Sequence, residues 1–466
     1  ESVRGLGRAR LGAALAVGLA VWLLVAGGTA GLVLALGVLL VLNAATTLLR
    51  LLALVAGLRR PPAPGTAPAM AAGTAAGAVD LATRRPLPVM TLMVPLYREA
   101  SMVGEIVRAI DALDYPRELL DVKLLLEDGD TETRAAVAAL ALPGWITPVI
   151  VPEGAPRTKP RAMNFALDFA EGDIVGILDA EDRPDADQLR RVAEALGAAP
   201  PEVACVQCQL AYYNATENWI TRCFQLEYAI WFDVLLRGFQ RLGLPIPLGG
   251  TSVYFRRAAL ERLGGWDAHN VTEDADLGMR LARRGLRCTV LDSVTREEAN
   301  CRVAPWIRQR SRWLKGYLLT WLSHMRAPGK LLRELGVAGF LAFNVLFLGG
   351  AATYLAMPLF WIALIGGLAT GQPLWGGALP GWAIWPLALS LAGGQAVMLG
   401  CAALAMVRRG SPGLLIWVPT LPLYWTLGAL AAWKAVIEMV WAPYYWDKTR
   451  HGISRVFRQP AQGSGA

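Results

Sequence analysis

The sequence predicts an α/β domain, a mostly parallel sheet with helices on both faces, inserted between transmembrane α-helices. Three observations predict it. Through the middle of the chain, short apolar runs alternate with helix-like stretches, the pattern of a layered sheet. The ends are apolar and nearly free of charge, whereas residues 89–326 have the composition of a soluble domain. The averages, 55% hydrophobic and 18% charged over 466 residues, hide these two populations.

A hydrocarbon core of ~30 Å needs roughly 20 apolar residues per helix. Residues 11–27 and 31–49 are two such runs, split by a Gly-rich turn. The second follows the first too closely for a cleaved secretion signal, so the pair reads as a hairpin. Arg4, Arg8 and Arg10 before it, and Arg59 and Arg60 after it, favour the cytoplasmic side for both ends. Residues 59–88 are rich in Pro, Ala and Gly, without periodicity, and read as a linker. Strands are expected at 89–95, 122–127, 146–151, 174–178 and 203–209, with helices at 101–113, 131–140, 160–170 and 186–196 between them. Downstream, 336–368 has room for two short spans, 381–407 for one and 414–440 for another, six in all with the hairpin. Six spans put Arg408 and Arg409 on the far side, against the positive-inside tendency. A half-span or re-entrant segment around Pro419 and Pro422 is the alternative. The expected organisation is a transmembrane hairpin at 1–58, the linker at 59–88 and a catalytic domain at 89–300. Interfacial helices at 301–334, about four further spans at 335–440 and a juxtamembrane loop and tail at 441–466 complete it.

The net charge of +8 suits a face near anionic lipid and an anionic substrate. No basic run is interleaved with aromatics, so no nucleic-acid partner is expected. Cys205 and Cys208 form one Cys-x-x-Cys, but no second pair follows at zinc spacing, and both read as strand thiols. His269, His324 and His451 are widely separated, and neither a Gly-x-Ser-x-Gly elbow nor a P-loop occurs, which argues against a hydrolase triad and a P-loop nucleotide site.

The chemistry lies in an ordered series of acids. Asp128 follows one expected strand, and Asp179, Glu181 and Asp182 follow another. Ligands of open α/β sheets bind beyond the carboxyl ends of the strands, so these acids converge on one rim. Asp179 and Glu181, spaced i, i+2, can face one point, and hard divalent cations take a carboxylate or two plus substrate phosphates. Thr272, Glu273 and Asp274 precede a helix-like stretch. Thr272 suits a cap, with the two acids in the first turn, and Asp274 suits a general base. Gly249, Gly250, Gly264 and Gly265 allow close approach of backbone to a ligand. Gln309, Arg312 and Trp313, at i, i+3 and i+4, share a helical face. An amide for hydroxyls, a guanidinium for phosphate and an indole for a sugar ring suit a sugar and a phosphate. An interfacial helix with a Trp anchor is the alternative.

Taken together, these residues resemble the membrane-embedded family 2 glycosyltransferases, which include cellulose, hyaluronan and chitin synthases. That family's motifs appear here, in order, as Glu127-Asp128-Gly129, Asp179-Ala180-Glu181, Thr272-Glu273-Asp274 and Gln309-x-x-Arg312-Trp313. Residues 93–99, with Pro95, Tyr97 and Glu99, look like the first strand and nucleotide loop. Residues 158–164, with Lys159 and Asn164, look like the substrate helix. The nearest likeness is to bacterial cellulose-synthase-like processive polysaccharide synthases.

The resemblance implies a GT-A fold and an inverting transfer from a nucleotide-diphosphate sugar, most often a UDP-sugar. Pro95, Tyr97, Glu99, Asp128, Lys159, Asn164 and Asp179 would bind the donor, and Asp179 and Glu181 would hold Mg²⁺ or Mn²⁺. Asp274 would be the base. Glu273, Gln309, Arg312 and Trp313 would place the acceptor or the diphosphate. Trp446, Lys448, Thr449 and His451 take the place of a gating loop. The implied product is a β-linked polysaccharide passed through the protein's own spans. The alternative is one sugar added to a lipid. Membrane lipids and accessory secretion subunits are the further partners implied, and the implied location is the bacterial inner (plasma) membrane, multi-pass, with the catalytic domain cytoplasmic. Two departures stand out. Glu181 replaces the second Asp of Asp-x-Asp, and Asp130 stands where many relatives have a small Ser.

Overall fold

The computed structural model describes residues 2–26, 28–58, 86–371, 381–448 and 451–458. Most of the expected linker, Thr449 and the tail from 459 onward lie outside the described residues. Two helices come first, α1 (Gly7–Ala26) and α2 (Gly28–Leu58). Next come β1 (Met90–Leu96), α3 (Val103–Asp111), β2 (Leu120–Glu127), α4 (Thr131–Ala138), β3 (Ile146–Val151), α5 (Lys159–Leu167) and β4 (Ile174–Ile177). The second half of the domain runs through β5 (Arg183–Pro184), α6 (Gln188–Ala198), β6 (Val203–Tyr212), α7 (Trp219–Ala229), α8 (Leu236–Arg241), β7 (Val253–Arg256), α9 (Arg257–Leu263), α10 (Glu273–Arg283) and β8 (Arg287–Glu297). Then follow α11 (Val303–His324), α12 (Pro328–Asn344), α13 (Gly350–Thr370), α14 (Gly381–Arg408), α15 (Leu421–Trp441) and the short α16 (Arg455–Arg458).

The eight strands form one sheet in the order β3-β2-β1-β4-β7-β6-β8-β5. The pairs β3–β2, β2–β1, β1–β4 and β6–β8 are parallel. Those of β7 with β4 and β6, and of β5 with β8, are antiparallel. The sheet is therefore mixed. Two strands run in reverse, β7, which enters between β4 and β6, and the edge strand β5. Alternate side chains divide between two apolar cores. Met90, Leu92 and Val94 of β1 pack on one face with Ile106 and Ile110 of α3 and Leu189 and Val192 of α6. Met93, Leu125, Val175 and Phe255 pack on the other with α5, α7 and α10. Helices cover both faces, which is why the inner strands β1, β2, β4, β6 and β7 are buried along most of their length.

Four stretches among the described residues are long and apolar enough to cross a membrane: Val33–Leu58, Pro328–Pro358, Leu389–Arg408 and Pro412–Trp441. The ends of α2 and α14 meet the α/β domain. Gly238 of α8 lies so close to Ala53 that a Cβ would fall 2.1 Å from the Ala53 carbonyl oxygen. Arg408 donates to Gly57 O at 2.6 Å and to Asp233 O at 3.1 Å, and Arg409 pairs with Asp233, NH2 to Oδ1 at 2.8 Å. Arg408 and Arg409 thus lie against the catalytic side, not on the far side that six spans imply. The reason is the course of α15. Its start is held by Trp219, which donates to Thr420 Oγ1 at 2.9 Å, and by Trp306, which donates to Tyr424 Oη at 2.7 Å. Its end is held by Lys315 of α11, 3.1 Å from Glu438 and 3.2 Å from Ala442 O. Helix α15 therefore lies along α11, with partners from the catalytic side at both ends.

Candidate active site

One cavity of about 1140 Å³ opens beyond the carboxyl ends of β1 and β4 and continues between the apolar helices. Pro95, Tyr97, Glu99, Lys159, Asp179 and Glu181 line its polar part, together with Glu273 and Asp274. Gln309, Arg312 and Trp313 line the stretch that follows, and Trp446, Lys448 and His451 cover it. Two expected residues are elsewhere. Asp128 points to the exposed side, 2.8 Å from Arg134. Asn164 spends its amide on the backbone of Trp266, donating to its O at 2.8 Å and accepting from its N–H at 2.9 Å. Its position beneath the Gly264-Gly265 turn makes it a clip for that loop.

The turn after β4 gathers the acids. The Asp179 N–H donates to Asp182 Oδ2 at 2.8 Å and Thr251 Oγ1 donates to the same oxygen, so the loop is closed by its own carboxylate. Lys159, at the start of α5, donates to Asp179 and, at 2.8 Å, to Gly250 O. Burial opposes the Lys159 charge, but Asp179 and Glu273 outweigh it and raise its pKa. Burial, reinforced by Asp179 and Glu181, pushes Asp182 well above the carboxylate range. Glu297, at the end of β8, is raised for the same reasons.

These residues fit a divalent cation held jointly with a diphosphate. Asp179 and Glu181 would supply two hard oxygen ligands, which is what such a cation takes when phosphates complete its shell. Asp182 Oδ1 and Glu297 Oε1 are buried carboxyl oxygens without a partner, and a cation beside them would favour the charged form that burial disfavours. No group of three or more ligating side chains occurs among the described residues, so the phosphates are essential to this fit.

Asp274 lies in the first turn of α10, its Oδ1 accepting the Ala275 N–H at 2.8 Å. A Cβ at position 250 would fall 3.2 Å from Asp274 Oδ2, so Gly250 leaves that oxygen room at the cavity wall. Burial pushes Asp274 up to about 6, against the pull of Lys159 and Arg312. Glu273 is pushed up to about 8 by burial and then by Asp274. Thr272 precedes the helix but makes no capping hydrogen bond. It packs on α11 instead, and Asn270 holds the loop by donating to Thr320 Oγ1 at 2.8 Å.

On α11, Gln309 accepts from Asn300 at 2.9 Å. The Arg312 guanidinium stacks 4.6 Å above the Trp446 ring, and its Nε is buried without a partner. Trp313 packs near Tyr228 and under Arg310, whose guanidinium carbon is 4.7 Å from its ring centre. Arg310 also pairs with Glu227. The sequence reading passed over Arg310 and Glu227, which are 83 positions apart and share no local pattern.

The segment after α15 crosses the mouth. Lys448 pairs with Glu99, and His451 Nδ1 is 2.9 Å from Glu181 Oε1, an ion-pair contact without aligned hydrogen-bond geometry. Glu298 accepts the backbone N–H groups of Gly452, Ile453 (3.0 Å) and Ser454 (2.6 Å), which anchors the segment. Burial works against the His451 charge, but Glu181 raises its pKa to about 9. Asp130, the second departure, has a structural explanation. It caps α4 by accepting the Thr133 N–H and also accepts the Arg98 N–H at 2.5 Å, fixing the loop where Arg98 has φ 54°.

Beta-monoglucosyldiacylglycerol synthase of Synechocystis sp. is 30% identical over 306 residues, 62% of this chain and 62% of that protein. A probable glucomannan 4-beta-mannosyltransferase of Arabidopsis thaliana is 26% identical over 238 residues, 49% of this chain and 43% of its own length. The matched stretch thus spans less than two thirds of the relatives. A solved mannosyltransferase from Pyrobaculum calidifontis, in complex with GDP-Man and Mn²⁺, is 23% identical, covering 84% of this chain and 99% of that one. The TM-score is 0.49. The profile described as Glycosyl transferase family group 2 matches residues 174–446, more than half of the chain and all of the site from β4 to Trp446. The chain is a GT-A-fold enzyme that belongs to glycosyl transferase family group 2.

Proposed function

We propose that this glycosyltransferase inverts the anomeric centre of a nucleotide-diphosphate sugar, a UDP-sugar in the first instance, and delivers the sugar to a lipid acceptor. The continuity of the cavity carries this reading. Beyond Trp313 it is lined by Leu36, Leu39, Val345, Met357 and Met398, a wall suited to acyl or prenyl chains. The name of the Synechocystis relative supports the same acceptor class. A processive reading keeps one supporting observation: Tyr317, Trp361 and Trp425 also line the cavity and would stack on sugar rings.

Tyr97 and Glu99 would hold the nucleoside, and Lys159 the diphosphate. Asp179 and Glu181 would hold Mg²⁺ or Mn²⁺. Bound there, the metal would neutralise charge that develops on the departing diphosphate. Asp274 would take the proton of the acceptor hydroxyl as its oxygen attacks the anomeric carbon. A single displacement turns an α-linked donor into a β-linked product. Gln309 and Arg312 would steady the acceptor end, and Lys448 and His451 would leave Glu99 and Glu181 when the donor enters. The hairpin α1–α2 and the pair α13–α14 would cross a bacterial inner membrane, with α15 at its surface. That arrangement keeps Arg4, Arg408 and Arg409 on the cytoplasmic, catalytic side.

Membranes carrying the protein, incubated with labelled UDP-sugars and Mn²⁺ or Mg²⁺, test the reading. Label that extracts into organic solvent supports a lipid acceptor. Label that stays as polymer supports the processive reading, and no nucleotide release from any donor contradicts both.

A further inference from the structure

We infer that the lipid held between the helices carries a phosphate, received by Arg50 in the inner part of the cavity. The inference rests on the lipid reading above and deepens it. Arg50 lies in the apolar stretch Val33–Leu58, eight residues before the end of α2 that meets the α/β domain. Eight residues of helix rise about 12 Å, so the guanidinium lies well inside the bundle. It lines the cavity, and among the described residues it makes no hydrogen bond and no ion pair.

The titratable groups whose charges reach it are Tyr354, Cys401 and Glu227. Glu227 is already engaged, paired with Arg310 and accepting from Tyr424 Oη at 3.0 Å. Arg50 is therefore an uncompensated cation in a low-dielectric setting, and such residues within spans mark ligand or ion sites. Hydroxyls of a neutral glycan would hydrogen-bond to it but would leave its charge in place. A phosphate neutralises it and matches the fork of the guanidinium.

Other polar groups surround the same space without spending their capacity. Tyr354 lines the cavity, and its hydroxyl makes no hydrogen bond among the described residues. Gln395 also lines the cavity, and its Oε1 is buried without a partner. Amide oxygen and nitrogen are interchangeable by rotation, so Gln395 can present its NH₂ to a phosphate oxygen. The neighbouring Gly394 packs on Thr47, one turn before Arg50, where a Cβ would fall 2.9 Å from Thr47 Oγ1. The apolar walls that continue from these groups commit the site to a lipid rather than to free phosphate.

The full chain, purified in detergent, tests the inference by fluorescence. Brominated phosphatidylglycerol should quench the tryptophan emission at concentrations at least tenfold lower than brominated diacylglycerol. Arg50→Gln should abolish that difference, and Arg50→Lys should retain part of it. Equal quenching by both lipids in the wild type overturns the inference, whether or not the variants fold. So does competition against the brominated phospholipid by inorganic phosphate or by a β-linked oligosaccharide at equal concentration. The readout needs no donor and no turnover, so it stands or falls separately from the transferase assay. Should the assay yield only polymer while the preference for phosphatidylglycerol holds, the acceptor reading fails and the phosphate site remains.

Discussion

Gly316 of α11 packs so tightly on Thr272 that a Cβ at 316 would fall 2.3 Å from Thr272 Oγ1. Gly316 belongs to the helix that carries Gln309, Arg312 and Trp313, and Thr272 precedes the helix that carries Asp274. The contact therefore sets the distance between that helical face and the proposed base. Gly316→Ala should separate the two helices. Overpacking of this kind costs about 1–3 kcal/mol. The expected outcome is a folded protein with a lower melting temperature and turnover reduced at least tenfold. Thermal unfolding and nucleotide release on the same preparation check it.

The pH profile follows from the raised pKa of Asp274. A base works deprotonated, so activity should rise with pH through the folded-state value. Burial places that value near 6, above the ordinary Asp range. Because Glu273 is beside it, the acid limb reports the pair rather than one residue. Rates of nucleotide release at saturating donor, from pH 4.5 to 8, should fall on the acid side with a midpoint near 6. Full activity maintained down to pH 4.5 would remove Asp274 as the base.

The contact of His451 with Glu181 sets up a competition. A cation from the protein's own chain occupies the carboxylate proposed to bind metal. His451→Gln should free Glu181, and the Mn²⁺ concentration for half-maximal activity should fall several-fold. A metal titration at fixed donor measures it. Chelation by EDTA should abolish release in both proteins, and added Mn²⁺ should restore it.

Asn164 separates a structural role from a binding role. Its two hydrogen bonds to Trp266 are part-buried, and loss of such bonds leaves backbone groups unsatisfied at about 1–3 kcal/mol. Asn164→Ala should lower the melting temperature and leave the donor KM within about threefold of wild type, since a contact not made by the donor costs little of its binding. A large rise in donor KM with unchanged melting would return Asn164 to the donor site.

Much of the fold was legible because local periodicity reported it. Strands β1, β2, β3, β4 and β6 are apolar runs bounded by turn residues, and their helices are amphipathic. Strand β7, Val-Tyr-Phe-Arg, is only four residues long, and β5 has two. Runs that short carry no period, so the reversal that makes the sheet mixed was invisible. Strand β8 was missed for a different reason: its apolar and polar residues alternate irregularly around a register shift against β6.

That Asp179, Glu181, Asp274 and the Gln309–Trp313 face line one cavity was legible because chemistry and spacing coincide there. The site was illegible where roles depend on distant partners. Asp128 and Asn164 match the family's motif strings, yet their side chains turn to Arg134 and to Trp266. Arg50, directly after the apolar run 31–49, carries no local pattern, and only the packing of the helices places it in a cavity. Helix α15 has the hydropathy of a span, but Trp219, Trp306 and Lys315 hold it along α11.

The central claim is that Asp274 acts on the acceptor while the acids after β4 hold the donor. The direct test is donor binding and turnover in Asp274→Asn, with UDP-sugar and Mn²⁺ on the full chain in lipid. General-base removal costs about 10²–10⁴ in rate. Turnover should fall within that range, with the donor Kd within about threefold of wild type. Turnover at the wild-type rate, or loss of donor binding in this variant, would contradict the account.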